Sequence, residues 1–466
     1  MFPPVLIPLI VACALFMENL DSTVLATSLP AIAASFGESP VRLSFAITSY
    51  LFSLAVFIPI SGWVADRYGA KDVFRAAILV FMTGSILCGL SGSLWELVAA
   101  RMLQGMGGAM MVPVGRLVLL RSVTKAELVG AMAWLTVPAL IGPVIGPLLG
   151  GFVTTYFHWR WIFWINVPIA ILGLVLVTLF IPAGREPPPP AFDIKGFLLT
   201  AVGLVGLMFG FETIGRDIVP GWASLALLGL GSTCVVAFVR YAAGIAHPVL
   251  DLGLLRVPTF RASVTGGFLF RIGIGALPFL LPLLLQAGFG LDAFQSGQLT
   301  FAAAVGALTM KFAAKPILRR FGFRRVLLGN ALLSAASLAA IALFRPDTPH
   351  LVILAVLLVG GFFRSLQFTS INTLGYADID QQRMSRATSF ASMAQQLALS
   401  AGVAAGAIIL HLSMASRGSG ALVAADFAPA FLTVGALAAL SALAYLRLPR
   451  NAGAEVSGHA ALAQER

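Results

Sequence analysis

Apolar runs of about twenty residues, each long enough to cross a bilayer as a helix, recur from one end of this chain to the other. A membrane-spanning segment must satisfy its backbone internally, and unbroken apolar runs do this as helices rather than as alternating barrel strands. The charge content agrees: 59% of the 466 residues are apolar and 11% are charged, against about a quarter charged in a soluble domain. Such a chain lacks the polar surface that several soluble domains would need. A soluble enzyme, a secreted disulfide scaffold and a disordered chain are all excluded. Cys13, Cys88 and Cys234 sit singly inside apolar runs and read as small core residues, and the five histidines are scattered. No metal site, no cofactor and no catalytic residue is therefore expected. No GxxxxGK[ST] loop occurs, which argues against ATP as an energy source.

Glycine, proline and charge breaks place fourteen spans, near residues 5–30, 43–65, 73–91, 95–118, 128–153, 161–181, 194–213, 222–241, 261–286, 294–314, 325–343, 350–373, 387–411 and 428–447. The first run lacks the basic flank of a signal peptide and continues past Glu18 and Asp21, so it reads as a retained span. With both termini cytoplasmic, the inward loops collect most of the Lys and Arg, including Arg67, Lys71, Arg319, Arg320, Arg324 and Arg325. The net charge of +11 is thus a topology signal rather than a nucleic-acid footprint. Asp66-Arg67-Tyr68-Gly69-Ala70-Lys71 after the second span is echoed by Arg319-Arg320-Phe321-Gly322-Phe323-Arg324 after the tenth. The echo predicts two six-span halves, 1–182 and 261–447, related by an axis along the membrane normal. Between them lie a Pro-rich cytoplasmic linker at 183–193, two added spans within 194–241 and a cytoplasmic loop at 242–260; a tail covers 448–466.

Three segments resemble signatures of the major facilitator superfamily. Gly62-Trp63-Val64-Ala65-Asp66-Arg67-Tyr68-Gly69-Ala70-Lys71 resembles its loop between helices two and three, and Arg101-Met102-Leu103-Gln104-Gly105-Met106-Gly107-Gly108 its fourth-helix motif. Gly142-Pro143-Val144-Ile145-Gly146-Pro147-Leu148-Leu149-Gly150-Gly151 resembles the fifth-helix motif that marks its antiporters. Small residues four apart there give a nearly flat helix face that a partner can approach closely. Leu20-Asp21-Ser22-Thr23-Val24 and His247-Pro248-Val249-Leu250-Asp251-Leu252 are similar to segments of the fourteen-helix drug:proton antiporters of the EmrB/QacA type. The resemblance implies an all-α major facilitator fold of two six-helix bundles plus two helices. It further implies a proton-coupled inner-membrane antiporter, not an enzyme, that exports drugs or other toxic small molecules by alternating access. Its partners would be protons, a small-molecule substrate and lipid, with no nucleic acid. The chain is read as working as a monomer, and a periplasmic adaptor has no support in the sequence. Gly62, Asp66, Arg67, Gly69 and Lys71 would gate the conformational change, with Asp66 meeting a second-half helix near Ser385.

Charges inside the spans are costly and mark function or pairing. Glu18 and Asp21, three residues apart, share a helix face. Asp21 matches the family's acidic position and is the favoured proton carrier, with Glu18 as second carrier or hydrogen-bond partner. Arg101 needs a carboxylate or polar partner, and a static pair with Asp21 is the alternative. Arg116, Arg271, Lys311 and Arg364 are the other charges within spans, Lys311 near an inner end from which it would snorkel. Arg116, Arg271 and Arg364 are expected in a substrate cavity with Gln104, Gln367, Gln395, Phe268 and Phe363. Arg271 and Arg364 fall near mid-depth with no acid in their own spans. Their partners would be carbonyls, Gln367, Gln395, Gln396 or an anion. A pump for lipophilic cations would want a negative cavity, so a second function stays open: export of organic anions or metal–carboxylate chelates through Arg271 and Arg364. The bland alternative is that these arginines cap broken helices or pair across the halves.

Overall fold

A computed structural model describes residues 6–38, 40–182, 189–213, 219–417 and 423–459. Most of the 183–193 linker and the end of the tail fall outside these residues. Every regular element described is helical. In chain order they are α1 (Leu6–Phe36), α2 (Pro40–Phe57) running through a 3-10 turn into α3 (Ser61–Tyr68), α4 (Ala70–Leu90), α5 (Leu94–Ser122) and α6 (Leu128–Tyr156). Then come α7 (Trp161–Trp164) and α8 (Asn166–Phe180), α9 (Ile194–Thr213), α10 (Gly221–Ala242), α11 (Pro258–Gly275) and α12 (Leu277–Leu283). The chain ends in α13 (Ala293–Ile341), α14 (His350–Ala377), α15 (Met384–Arg417), α16 (Phe427–Leu446) and the single turn α17 (Ala454–Ser457).

Among the described residues, twelve segments are long and apolar enough to cross a membrane, where the sequence reading placed fourteen. The expected tenth and eleventh spans join in α13, whose 49 residues would extend about 73 Å if straight, against a hydrocarbon core of about 30 Å. The helix breaks at Gly322 (φ 72°, ψ 161°). Its counterpart in the sequence echo, Gly69, also has positive φ (91°) and separates α3 from α4. Both positions need a residue without a Cβ, so the repeated motif encodes the same reversal twice.

Local signals set the other boundaries. Ser93 caps α5 by accepting from Glu96 N, and Glu96 returns to Gly92 N at 2.8 Å. Asp292 and Gln295 form a capping box at the start of α13. The segment after α16 folds back beneath the bundle: Leu448 and Val456 are buried, His459 Nδ1 lies 2.8 Å from Arg319 O, and Lys125 meets Glu455 at 2.8 Å. The Lys125 hydrogen bond holds the exposed Glu455 carboxyl below its ordinary range.

Close helix approaches rest on glycine. A Cβ on Gly107 would stand 2.6 Å from Phe81 N and 2.7 Å from Ala77 O, so α4 and α5 touch backbone to backbone there. Gly105, on another face of α5, meets Tyr50 and Ser53 of α2 in the same way. Gly107→Val should therefore push α4 from α5 and destabilise the protein by about 1–3 kcal/mol. Gly130→Ala on α6, with nothing within 4 Å, should be neutral or mildly stabilising. Thermal unfolding of both variants in detergent checks the contrast.

Candidate functional site

At mid-bundle four helices converge on one carboxylate. Asp21 on α1 is 4% exposed and accepts from Arg101 Nη1 on α5 at 2.5 Å. It also accepts from Gln104 Nε2 at 2.9 Å and from Asn166 Nδ2, at the start of α8, at 2.8 Å. Ser85 of α4 joins through Gln104 and Asn166, at 3.2 and 2.9 Å. Arg101 is 1% exposed; it donates to Gln104 Oε1 (2.7 Å) and Ala46 O (3.4 Å) and lies 4.4 Å from the Tyr50 ring centroid. Burying an ion pair is tolerable only when the remaining donors and acceptors are satisfied, as they are here. Gln104, expected in the substrate cavity, belongs to this knot instead.

One turn earlier, Glu18 points elsewhere. Its carboxylate accepts from the Tyr50 hydroxyl at 3.2 Å, and its other side lines a central cavity of about 1430 Å³. Leu15, Leu51, Leu54 and Ile58 supply apolar wall from the first half of the chain, with Leu277, Leu281, Phe368 and Leu399 opposite. The polar lining includes Asn19, Arg116, Arg364, Asn372, Ser392, Gln395 and Gln396. Arg116 donates to the Tyr376 hydroxyl at 3.1 Å and to Gln395 at 3.4 Å, both from the second half. Arg271 lies behind the wall in a small separate pocket; it donates to Asn372 at 2.8 Å and stacks 5.5 Å from the Phe368 centroid. Gln367 is buried against Asn330 and Leu327 O, away from the cavity. Phe268 and Phe363 do not line it either: Phe363 packs edge-on with Phe362, and Phe368 takes the expected aromatic place. Lys311 Nζ sits 2.6 Å from the Trp134 ring centroid on α6.

The cavity reaches the helix ends carrying Tyr156, Gln286 and Ser296, where Tyr156 is 71% exposed. The opposite ends are closed. Ser385 at the start of α15 donates a short hydrogen bond to Asp66, which also pairs with Arg121 at 3.2 Å. Ser61 and Ser389 meet at 2.8 Å, and a Cβ on Gly62 would stand 2.7 Å from Ser385 O. Lys71 donates to Thr178 O at 3.0 Å, Gly69 supplies the turn described above, and Arg67 is exposed. Asp251, from the His247–Leu252 segment, holds Arg383 at 2.9 Å and Arg386 at 3.9 Å beside this closure.

Fifth-helix glycines face α1. A Cβ on Gly142 would stand 2.8 Å from Asn19 Cβ, one on Gly146 would collide with Thr23, and Thr23 donates to Gly142 O at 3.3 Å. Gly150 is buried, Gly151 lines the cavity, and Pro143 and Pro147 lie on α6 with side chains outside the described set. Sequence reasoning missed Tyr50, Asn166, Tyr376 and Asn372. Each is an uncharged polar residue within or beside an apolar run, a signal too common to select without the fold. Arg101→Met should strand Asp21 as an unpaired buried charge and destabilise by about 3–5 kcal/mol. Asp21→Asn combined with Arg101→Gln should recover most of that loss, as read by thermal unfolding.

The chain matches the family model described as Major Facilitator Superfamily over residues 11–403 and again over 264–464. Proteins named multidrug resistance protein MdtD are similar along nearly its whole length. That of Salmonella heidelberg (strain SL476) is 37% identical over 449 residues, covering 95% of this chain and 94% of the relative. That of Pectobacterium atrosepticum is 38% identical over 446 residues, covering 94% and 95%. Among solved structures, the human organic anion transporter MFSD10 superposes with a TM-score of 0.68 at 18% identity, covering 96% of this chain and 100% of that one. The proton:xylose symporter XylE follows with a TM-score of 0.65 at 16% identity, covering 98% of each. By whole-length similarity and by fold, the chain belongs to the major facilitator superfamily of membrane transporters.

Proposed function

We propose that the protein is a proton-coupled antiporter of the bacterial inner membrane, exporting small organic molecules by alternating access. The observation that carries this reading is Glu18, an acid on the wall of a cavity of about 1430 Å³ with Tyr50 as its hydrogen-bond partner. That volume exceeds the usual few hundred to a thousand Å³ of a ligand pocket, which suits varied substrates. The names of the MdtD relatives support drugs and similar toxic compounds as cargo.

Glu18 and Asp21 divide the work. Asp21, with three donors upon it, ties α1 to α5 and α8. Glu18 faces the space that substrate would occupy, so it takes the proton that substrate release admits and loses it on the other side. This moves the carrier step from Asp21, favoured by sequence, to its neighbour, and leaves Asp21 to hold Arg101. Each proton crossing 100 mV supplies about 2.3 kcal/mol, enough for about a fiftyfold substrate gradient before any pH difference is added.

Fourteen crossings, with both termini cytoplasmic, fit this scheme. To the twelve segments, α6 and the division of α13 at Gly322 add two. The halves are then α1–α8 and α11–α16. α9 packs on α2 and α15, one helix from each half, and α10 packs on α9, so the two added helices cover the seam. In that orientation the cavity is outward-open, and Asp66, Arg121 and Ser385 form the inner gate.

Glu18→Gln should keep the fold and abolish pH-driven efflux in proteoliposomes; undiminished efflux would refute the coupling assignment. Asp66→Asn should weaken the gate. On a background lacking the native cysteines, Ser389→Cys would then react faster with an impermeant thiol reagent from the inner side, and an unchanged rate would remove Asp66 from the gate.

A further inference from the structure

The intramembrane arginines are not equivalent. Arg101 is neutralised by Asp21, Arg116 is held by Tyr376 and Gln395, and Arg271 is held by Asn372. Arg116 Nε and Arg271 Nε are also buried without a partner, but each of these three arginines has at least one side-chain acceptor; Arg364 on α14 has none among the described residues. It is 4% exposed, it lines the central cavity, and its Nη1 is buried with no hydrogen-bond partner. Nη1 turns towards Gly360, and among the described residues no carboxylate supplies a counter-charge for this cavity-lining guanidinium, which leaves a group entering the cavity to supply it.

We propose that Arg364 is the anion-recognising point of the cavity, and that substrates include organic acids with an apolar body and one carboxylate or sulfonate group. The inference rests on reading the cavity as the transport site and names the substrate class for it. Three further observations support it. Among the described residues, the charged ones lining the cavity are Glu18, Arg116 and Arg364, one carboxylate against two guanidiniums, so the field favours anions. Arg364 occupies a built niche: its Nη1 lies against Gly360, where a Cβ would stand only 2.8 Å away. Ser392 on α15 brings a second buried donor, its Oγ also without a partner, to the lining of the same cavity. Beyond these groups the wall is apolar, which matches an acid carried on a hydrophobic body. Fork-shaped guanidinium recognition of a carboxylate or sulfonate supplies charge-assisted hydrogen bonds that a neutral analogue cannot accept as strongly.

The test is equilibrium binding to the full-length protein in phosphatidylcholine nanodiscs, at neutral pH and without a gradient. The probes are 1-pyrenebutyrate and 1-pyrenebutanol, which share fluorophore and chain and differ in charge. The acid should bind about tenfold tighter or more, and Arg364→Gln should erase the preference. Should that variant fail to reach the membrane, Gly360→Ala, which crowds Nη1, must reduce the preference instead. Equal binding by the wild-type protein, or a preference that survives Arg364→Gln, overturns the inference. Nanodiscs containing phosphatidylglycerol, measured in high salt, test a lipid headgroup as the occupant. Loss of the acid's advantage there overturns the assignment to free organic acids, and its retention supports it. Because no gradient is applied, selective binding without pH-driven efflux would refute the antiport reading alone. Efflux without selective binding would refute this inference alone.

Discussion

Hydrocarbon offers a buried charge neither water nor counterion, so an ionised group in this bundle must find its partners within the protein or in the cavity. Asp21 shows how far that demand shapes the fold. Its carboxylate collects Arg101, Gln104 and Asn166 at 2.5–2.9 Å, and these residues lie on two other helices. Removing Arg101 would leave the carboxylate's charge unbalanced, and removing either amide would leave it short of a donor, where solvent cannot compensate. The knot therefore fixes the mutual positions of α1, α5 and α8, and Tyr50 ties α2 to it through Arg101 and Glu18. Glu18 gains its position from this rigidity: one helical turn from the knot, it faces the cavity with a carboxylate that is not consumed by an ion pair.

A second constraint is steric. Lipid supplies little hydrophobic drive for helices to associate, so close packing must hold the bundle together. The family motifs put glycine where two backbones meet. Gly62 admits Ser385 and Ser389 at the closed end, Gly107 admits Phe81, and Gly146 admits Thr23. At the closed end this packing is reinforced by polar contacts between the halves, Asp66 with Ser385 and Ser61 with Ser389. Such a closure can come apart without exposing a dry core, because its groups are small and hydrogen-bonding.

Much of this was legible in the sequence. The all-helical class followed from run length alone, and the repeated motif marked the two places where Gly69 and Gly322 take positive φ, a conformation that glycine adopts at little cost. The meeting of Asp66 with Ser385 was expected from the motif and is present as a hydrogen bond. Periodicity served less well where it had to decide which side of a helix faces what. Gln104, Gln367 and Phe363 sit within reach of the cavity in sequence terms but turn toward other partners, and Phe268 does not line it. Lys311 meets the Trp134 ring of α6, a contact that its own run of residues does not indicate. Along a membrane helix the two faces differ little in polarity, because lipid and protein neighbours favour the same apolar residues. The spacing of those residues therefore carries little information about facing.

Sequence by itself determined that this chain is a bundle of membrane helices with acids and arginines inside it, because the transfer cost of those residues does not depend on the fold. Which acid is paired and which is left at the cavity wall was decided only by tertiary structure. Asp21 and Glu18 stand three residues apart on one helix, yet only Asp21 comes within reach of Arg101 Nη1 and Asn166. Likewise, four arginines that look alike in the sequence end in different states: Arg101, Arg116 and Arg271 each reach a side-chain acceptor, and among the described residues Arg364 reaches none. Hydrogen bonding acts over about 3 Å and depends on direction, so it is settled by how helices rotate and cross, which no single run of residues encodes.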